Sequence, residues 1–165
     1  MNPALAKPPD AIHLACIHAN FRVPSCDYEV LLRVTRILTK NAADVRAAFR
    51  LMVFNILAHN RDDHVKNFAF VLSAQGDWQF APAYDLTFAH GPGGEHTTTV
   101  SGEGRAPGLL DILKVAESAG IAQKEAREIV DEVTGAVADW AAFADLATLD
   151  SKRAREIQSA LPSLG

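Results

Sequence analysis

Apolar residues recur at helical spacing in the first third of the chain. One series follows Asp27, a good helix-capping residue, and the sequence predicts that this helix stops near Thr39. Asn41 supplies a second cap, with Asp44 at the third helical position, and a broad apolar stripe follows it. The two series are Val30, Leu31, Val34, Ile37 and Leu38, and then Val45, Phe49, Met52, Val53, Ile56 and Leu57. The second series is typical of a helix at the centre of a hydrophobic core.

The pattern then changes from helical to extended. Two short β-prone runs, residues 68–72 and 78–80, flank a turn-like segment, and together they predict a β-hairpin. Residues 96–108 lack regular periodicity, so residues 87–108 are predicted to be mostly loop; they contain two glycine clusters, at residues 91–94 and 102–104. Neither cluster is followed by Lys-Ser or Lys-Thr, so we interpret both as turns within a loop region.

Helical periodicity returns after Pro107. We predict a helix that ends near Gly120, a longer helix over residues 124–143 and a last helix over residues 151–160. The longer helix should bury Ile129, Val130, Val133, Val137 and Trp140. The predicted fold class is therefore mainly α, with one embedded β-hairpin.

The composition fits a single globular domain rather than a fibre or a disordered tail. The chain has 165 residues, of which 48% are hydrophobic and 22% are charged. Residues 1–10 contain three prolines, and we interpret them as a loose leader ahead of one domain in residues 11–165.

Charge and cysteine content narrow the partners and the location. The net charge of −4 and the lack of a basic block disfavour direct nucleic-acid binding. No apolar run reaches the length of a membrane span, and no signal-like core follows the N-terminus. Cys16 and Cys26 have no metal-binding spacing and fit reduced, buried thiols. These features predict a cytoplasmic protein with no membrane segment.

The densest polar cluster, residues 59–67, lies between the predicted central helix and the first hairpin strand. A hairpin returns the chain near its start, so Asp85, just after the second strand, should lie close to Asn67. Asp62 precedes Asn67 by five residues, and a second Asp after a hairpin completes the arrangement of a kinase catalytic loop. Carboxylate and amide oxygens also suit Mg²⁺. The alternative interpretation is a solvated helix-to-strand connection.

These residues carry a family resemblance. Asn-Arg-Asp-Asp-His-Val-Lys-Asn-Phe at residues 60–68 and Ala-Pro-Ala-Tyr-Asp at residues 81–85 resemble the catalytic core of HipA-like serine/threonine kinases, the toxins of bacterial toxin–antitoxin pairs. Further similar segments are residues 20–25, 49–57 and 93–102. The resemblance covers roughly residues 11–121 and implies the helical carboxy-terminal lobe of a kinase-like fold.

The resemblance implies a role for each matching residue. Asp62 would be the catalytic base, and Asn67 and Asp85 would be the Mg²⁺ ligands. The residues next to the phosphates of ATP, besides these metal ligands, would be His64, Lys66 and Tyr84. Asp63 is not carried over as a catalytic residue.

The residues themselves leave alternatives open. His64 is equally well explained as an ordinary hydrogen-bonded loop histidine, and Lys66 as a surface salt-bridge partner of Asp63. We expect the remaining histidines of this region to lie on the surface: His59, His90 and His96.

The resemblance covers only one lobe of such a kinase. About 60 residues precede Asp62 and show helical patterns, so we expect the nucleotide-binding amino-terminal lobe to be absent. Phosphoryl transfer depends on positioning ATP, so the isolated chain should be inactive or weak. An apolar face should be exposed where that lobe docks, which favours a homodimer or a partner chain. The chain would then be a fragment, a truncated gene product or a subunit of a split kinase.

The family implies ATP and Mg²⁺ as cofactors and a DNA-binding antitoxin as a possible partner, so any association with DNA would be indirect.

Two other functions account for the same polar cluster. A noncatalytic, pseudokinase-like module would bind an antitoxin or a kinase partner without Mg²⁺-dependent nucleotide binding. A metal-dependent hydrolase would activate a water with a different set, namely Asp62, Asp63, His64 and Asp85. The hydrolase has no need for the five-residue spacing from Asp to Asn.

Overall fold

A computed structural model describes residues 11–13, 26–162 and 164. Within these residues the chain forms five short strands and six α-helices. The strands are β1 (Ala11–His13), β2 (Cys26–Asp27), β3 (Ala69–Leu72), β4 (Trp78–Phe80) and β5 (Thr98–Thr99). The helices are α1 (Tyr28–Thr39), α2 (Ala42–Leu57), α3 (Leu109–Ser118), α4 (Gln123–Ala138), α5 (Trp140–Leu146) and α6 (Ser151–Ala160). The mainly helical fold class is confirmed, whereas the predicted leader, residues 20–25 and Cys16 lie outside the described residues.

The first two helices begin at the predicted caps. The Asp27 carboxylate accepts a hydrogen bond from the Glu29 amide at 2.8 Å, and the Asn41 side chain accepts one from the Ala43 amide at 2.9 Å. Each bond satisfies a backbone amide that the first turn of a helix leaves without a partner. Both predicted helix starts are confirmed.

Helix α2 is the centre of the hydrophobic core and packs against both α1 and α4. Every apolar position predicted for its stripe is buried. Helix α1 differs, because Val30 and Ile37 are 37% and 68% exposed. Its buried face instead consists of Tyr28, Leu31, Leu32 and Thr35.

The predicted hairpin is confirmed and is part of a larger sheet. Strands β3 and β4 pair antiparallel, with Phe70 opposite Phe80, and β1 adds an antiparallel strand on the other edge of β3. A second pair was not predicted: β2 and β5 run parallel, with Asp27 opposite Thr99. The Asp27 carboxylate also accepts hydrogen bonds from the Thr99 hydroxyl at 2.7 Å and the Gly102 amide at 2.8 Å. One side chain thus joins the start of α1 to the loop region.

The predicted single helix over residues 124–143 is wrong, because the chain breaks at Asp139 into α4 and α5. Asp139 has φ −79° and ψ 11°, which ends the regular α4 backbone. The Trp140 indole then donates to the Ala154 carbonyl at 3.1 Å, so α5 turns to pack on α6. A tertiary hydrogen bond, which periodicity does not record, accounts for the new direction.

Helices α3 and α6 have the bounds predicted from the sequence. Helix α3 ends before Gly120, which adopts a φ of +66°, and α6 spans the predicted residues, with the Asp150 side chain as its cap. Cys26 is half-buried, and burial raises the pKa of its thiol. Among the described helices, none combines the length and apolar character needed to cross a bilayer.

Candidate functional site

Backbone pairing fixes the start of the polar segment, residues 58–68, between α2 and β3. Asn60 forms a parallel bridge with Ala89. The Arg61 amide donates to the Ala89 carbonyl at 3.2 Å, and the Ala89 amide donates to the His59 carbonyl at 3.0 Å. The chain after the hairpin therefore runs alongside the polar segment.

Asp62, the predicted catalytic base, presents its carboxylate to solvent. Its side chain is 54% exposed. His64 Nε2 lies 3.9 Å from Asp62 Oδ1, a separation too long for a hydrogen bond. A solvent-facing carboxylate of this kind can accept a proton from an incoming hydroxyl group.

Asn67 is held against the backbone of Asp62. It ends a 3₁₀ turn, Val65–Asn67, and its Nδ2 donates to the Asp62 carbonyl at 2.9 Å. Because the amide nitrogen makes this bond, the remaining polar atom of the side chain is the oxygen Oδ1. An amide oxygen is the type of ligand that Mg²⁺ prefers.

The hairpin brings the segment that carries Asp85 back against the polar segment. The Ala81 amide donates to the Ala69 carbonyl at 2.9 Å, and the Tyr84 hydroxyl donates to the Lys66 carbonyl at 2.5 Å. Asp85 is exposed and has a φ of +54°, in the left-handed region that few residues other than glycine adopt. Backbone in this region costs free energy and is found more often at functional sites.

The other residues predicted near phosphates surround the same loop. His64 precedes the 3₁₀ turn and is 23% exposed, and its buried Nδ1 has no hydrogen-bond partner among the described residues. Lys66 is exposed. Burial raises the pKa of Tyr84, and the negative charge of Asp85 raises this pKa further.

Asp63 is fully buried beside the exposed Asp62. Its Oδ1 accepts hydrogen bonds from the amides of Thr97 at 2.8 Å and Thr98 at 3.2 Å. Its Oδ2 accepts one from the Tyr28 hydroxyl at 2.8 Å, and His96 Nδ1 lies 2.9 Å from the same atom. The carboxylate is therefore surrounded by polar partners, as a buried charge requires.

The burial of Asp63 counts against two alternatives that the sequence left open. A surface salt bridge with Lys66 is wrong, because the Asp63 side chain has no exposed surface. The metal-dependent hydrolase loses a proposed ligand, because both oxygens of this carboxylate already accept hydrogen bonds. Within the part of the chain that the structure describes, no group of three or more His, Cys, Asp or Glu is arranged to hold a metal ion.

Two of the histidines expected on the surface are buried. His59 and His96 are 9% and 2% exposed, so that expectation is wrong for both, whereas His90 is exposed as predicted. The ring of His59 stacks on Phe88, with 5.2 Å between centroids. Burial lowers the pKa of His59 to about 4, and the positive charge of Arg61 lowers it further in the same direction.

Sequence reasoning missed the residues that connect Asp63 to the first two helices. Asn60 Nδ2 donates to Asn55 Oδ1 at 3.0 Å, and Asn55 Nδ2 donates to the Tyr28 hydroxyl oxygen at 2.9 Å. Burial raises the pKa of Tyr28 well above its usual value, and the charge of Asp63 adds to this effect. We call these side chains the buried polar network: Asn60, Asn55, Tyr28, Asp63 and His96. The signal available in the sequence was Asn55, a polar residue within the apolar stripe of α2.

The glycine-rich loop packs directly on Arg61. The Arg61 guanidinium donates to the Gly94 carbonyl and, at 2.9 Å, to the Arg105 carbonyl. Gly91 has a φ of +69°, and a Cβ at this position would lie 2.7 Å from Arg61 Cβ. The interpretation of this cluster as a turn is confirmed, and the first glycine allows the close approach to Arg61.

A family comparison identifies one family for this chain, and a comparison with solved structures identifies a similar fold. The model of the HipA-like C-terminal domain matches residues 10–141. Among solved structures, the Shewanella oneidensis MR-1 toxin–antitoxin system of HipA, HipB and operator DNA aligns over 82% of this chain, with a TM-score of 0.63 and 15% sequence identity. The chain spans 33% of the length of that solved chain. A comparison with curated proteins gave no match.

Proposed function

Because the chain belongs to the family of HipA-like C-terminal domains, we propose that it is the catalytic lobe of a serine/threonine protein kinase. The reaction would transfer the γ-phosphoryl group of ATP to a protein hydroxyl group, with Mg²⁺ as the metal. The observation that supports this most directly is the hydrogen bond from the Tyr84 hydroxyl to the Lys66 carbonyl. This bond holds the segment of Asp85 against the segment of Asp62 and Asn67.

In this proposal Asp62 is the general base. Its exposed carboxylate would accept the proton of the attacking hydroxyl while that oxygen bonds to the γ-phosphorus. The bond from this phosphorus to the β-phosphate oxygen would break, and ADP would leave. Asn67 supports the same backbone unit through its bond to the Asp62 carbonyl. The two residues would therefore keep a fixed relation between the base and the metal.

Asn67 and Asp85 would hold Mg²⁺. They fit this ion because Asn67 has its Oδ1 left for a ligand and Asp85 offers an exposed carboxylate. Mg²⁺ takes few protein ligands and leaves positions for water and phosphate oxygens, so two protein ligands are sufficient. When bound, it neutralises charge on the phosphates.

The phosphates would lie near His64, Lys66 and Tyr84. Lys66 is exposed and would supply a positive charge. His64 lies next to the proposed base, with its Nε2 3.9 Å from Asp62 Oδ1. The hydroxyl of Tyr84 would help to position the phosphate-binding residues, because it donates a hydrogen bond to the backbone carbonyl of Lys66.

The parts that hold ATP would be supplied outside this lobe. The chain spans 33% of the solved HipA chain, and an intact kinase also needs a phosphate-binding loop and an adenine site. We infer that a nucleotide-binding lobe completes the enzyme and that this lobe alone is inactive or weak. Large apolar side chains are exposed and are available to such a partner or to a second copy: Val30, Ile37, Leu72, Leu86, Leu110, Phe143, Leu146 and Leu149.

An antitoxin is a further proposed partner. The solved HipA is described in complex with HipB and operator DNA, which motivates a DNA-binding antitoxin for this chain as well. With a net charge of −4, the chain would reach DNA through that protein rather than by direct contact. Such a system would operate in the cytoplasm.

Binding of Mg²⁺ and nucleotide tests the metal ligands. We expect a fluorescent ATP analogue to bind the wild-type chain, combined with the product of the neighbouring reading frame, only when Mg²⁺ is present. The Asp85→Asn variant should bind it about tenfold more weakly or worse, because the ion loses a charged ligand. Asp77→Asn is the matched control, since Asp77 is an exposed Asp in the hairpin turn. Equal binding by the wild type and Asp85→Asn would contradict the proposed site.

Phosphoryl transfer tests the base. The chain is combined with the product of the neighbouring reading frame and labelled ATP·Mg²⁺, and transfer to protein is measured. Asp62→Asn should lower the rate by about 10²- to 10⁴-fold while nucleotide binding is retained. Equal transfer of label to protein by this variant and the wild type would contradict the proposed kinase activity. Partner binding with no Mg²⁺-dependent nucleotide binding would instead favour the noncatalytic, pseudokinase-like module.

A further inference from the structure

Both neighbours of Asp62 are bonded to the same short segment, residues 96–98. The Thr97 hydroxyl donates to the Arg61 carbonyl at 3.1 Å, and the Thr97 amide donates to both this carbonyl and Asp63 Oδ1, at 3.2 and 2.8 Å. The Thr98 hydroxyl donates to the Asp63 carbonyl at 2.5 Å. The residues before and after Asp62 are therefore fixed, while its own side chain is exposed.

The same Asp63 carboxylate is held from the opposite side by the buried polar network. The chain of donors runs from Asn60 through Asn55 to the Tyr28 hydroxyl and ends on Asp63 Oδ2. Each of these residues is at most 2% exposed. Hydrogen bonds in such an interior are strong, and the loss of a partner is costly, so these bonds restrain the position of the Asp63 carboxylate.

The Asp63 side chain is fully buried, whereas the side chain of the adjacent Asp62 is 54% exposed. The bonds that fix Asp63 inward therefore also fix the backbone from which the side chain of Asp62 is directed outward. We propose that Asp63, through its bonds to residues 96–98, is the positioning residue that directs Asp62 toward the substrate. This inference rests on the proposed function for the identity of Asp62 as the base. It assigns Asp63 no contact with substrate, because its carboxylate is fully buried.

The direct test removes the carboxylate. Asp63→Ala should lower kcat for phosphoryl transfer by about 100-fold with the KM for ATP changed less than about threefold, because misplaced groups slow chemistry more than they weaken nucleotide binding. A change confined to KM would overturn the inference.

A milder pair of variants keeps the test decisive if Asp63→Ala does not fold. Thr98→Val removes one hydroxyl and its bond to the Asp63 carbonyl, on the side of residues 96–98. Tyr28→Phe is the matched control, because it also removes one buried hydroxyl bonded to Asp63, but on the side of α1. We expect a lower kcat in Thr98→Val than in Tyr28→Phe at comparable losses of thermal stability. If kcat falls only in proportion to stability in both, Asp63 has a purely structural role.

Backbone order gives a readout that does not require kinase activity. In ¹⁵N relaxation, the Asp62 amide of the wild type should have an order parameter near the rigid value of about 0.85, falling toward about 0.6 in Thr98→Val. Tyr28→Phe should keep the higher value. An unchanged order parameter in Thr98→Val would refute the positioning role, whether or not the wild type transfers phosphate. A wild type that transfers no phosphate, with these order parameters as expected, would count against the proposed function alone.

Discussion

The segment around Asp62 and the carboxy-terminal helices α5 and α6 are held by different forces. The segment is held by buried hydrogen bonds that converge on Asp63. The helices are held mainly by apolar packing around Ala144 and Ile157, which are buried but lie outside the main hydrophobic cluster. One hydrogen bond, from the Trp140 indole to the Ala154 carbonyl, also joins them. The family match covers the first region and ends at residue 141, at the start of α5.

The difference shows what each type of interaction can specify. Apolar contacts are non-directional, so many side chains of similar volume satisfy them. Hydrogen bonds require a donor, an acceptor and a direction, so a buried network specifies a position closely. The proposed site would hold a base and a metal together, and the second type of interaction suits that requirement better.

The largest effect should come from an apolar replacement inside the buried polar network. Asn55→Leu keeps roughly the same volume but leaves Asn60 Nδ2 without its acceptor and the Tyr28 oxygen without its donor, while the Tyr28 hydroxyl still donates to Asp63. We expect a loss of about 2–4 kcal/mol in the free energy of unfolding. The control is Ile129→Leu on the buried face of α4, which should cost less than about 1.5 kcal/mol. Urea denaturation measures both, and equal losses would contradict the greater sensitivity of the buried polar network compared with an apolar core position.

Truncation of the apolar contact in α6 should have a smaller and more local effect. Ile157 is 6% exposed, and Ile157→Ala should cost about 2 kcal/mol. Hydrogen exchange should accelerate in α5 and α6 while the amides of Thr97 and Thr98 keep their protection. Faster exchange at those two threonines would show that the regions open together.

The buried His59 should make stability depend on pH. Its pKa is about 4 in the folded protein against 6.5 for an ordinary histidine, so the folded state binds this proton less readily than the unfolded state. The contribution is complete above about pH 6.5 and is lost as the pH falls toward 4. His59 has a φ of +54°, which Asn also tolerates. In His59→Asn the urea midpoint should therefore fall less steeply over this window. His90→Asn changes an exposed neighbouring histidine and should keep the wild-type dependence of the urea midpoint on pH. If both variants keep that dependence, His59 does not cause the loss of stability at low pH.

The smallest effect should come from a surface ion pair in α6. Arg153 Nη1 lies 3.4 Å from Glu156 Oε2, and both side chains are 51% exposed. Glu156→Gln should change the free energy of unfolding by less than about 0.5 kcal/mol, because solvent and salt screen such pairs. A loss above 1 kcal/mol by thermal or urea denaturation would mean that surface charge contributes substantially to this region.

Much of the fold was predictable because its signals are local. The caps at Asp27 and Asn41 bond to amides two residues away, and the stripe of α2 follows from helical spacing alone. The hairpin was predictable because a short turn connects its strands. The break at Asp139 was not, since it depends on the hydrogen bond of Trp140 to Ala154 across the α5–α6 packing.

The candidate site also has features that the sequence predicted and features that it did not. The spacing of Asp62 and Asn67, and the hairpin that precedes Asp85, were visible in the sequence. The importance of Asp63 was not, because its partners Tyr28 and His96 are separated from it by 35 and 33 residues. Roles for the first three residues remain predictions that the proposed experiments address.

The sequence by itself determined most of the helices, the hairpin and a polar segment whose residues resemble a kinase catalytic loop. Periodicity and capping act over a few residues, so one sequence records them fully. Only the tertiary structure decided that Asp63 is buried while Asp62 is exposed, although the two are identical residues at adjacent positions. The physical reason is that their difference comes from the partners that residues 28 and 96–98 bring from distant parts of the chain.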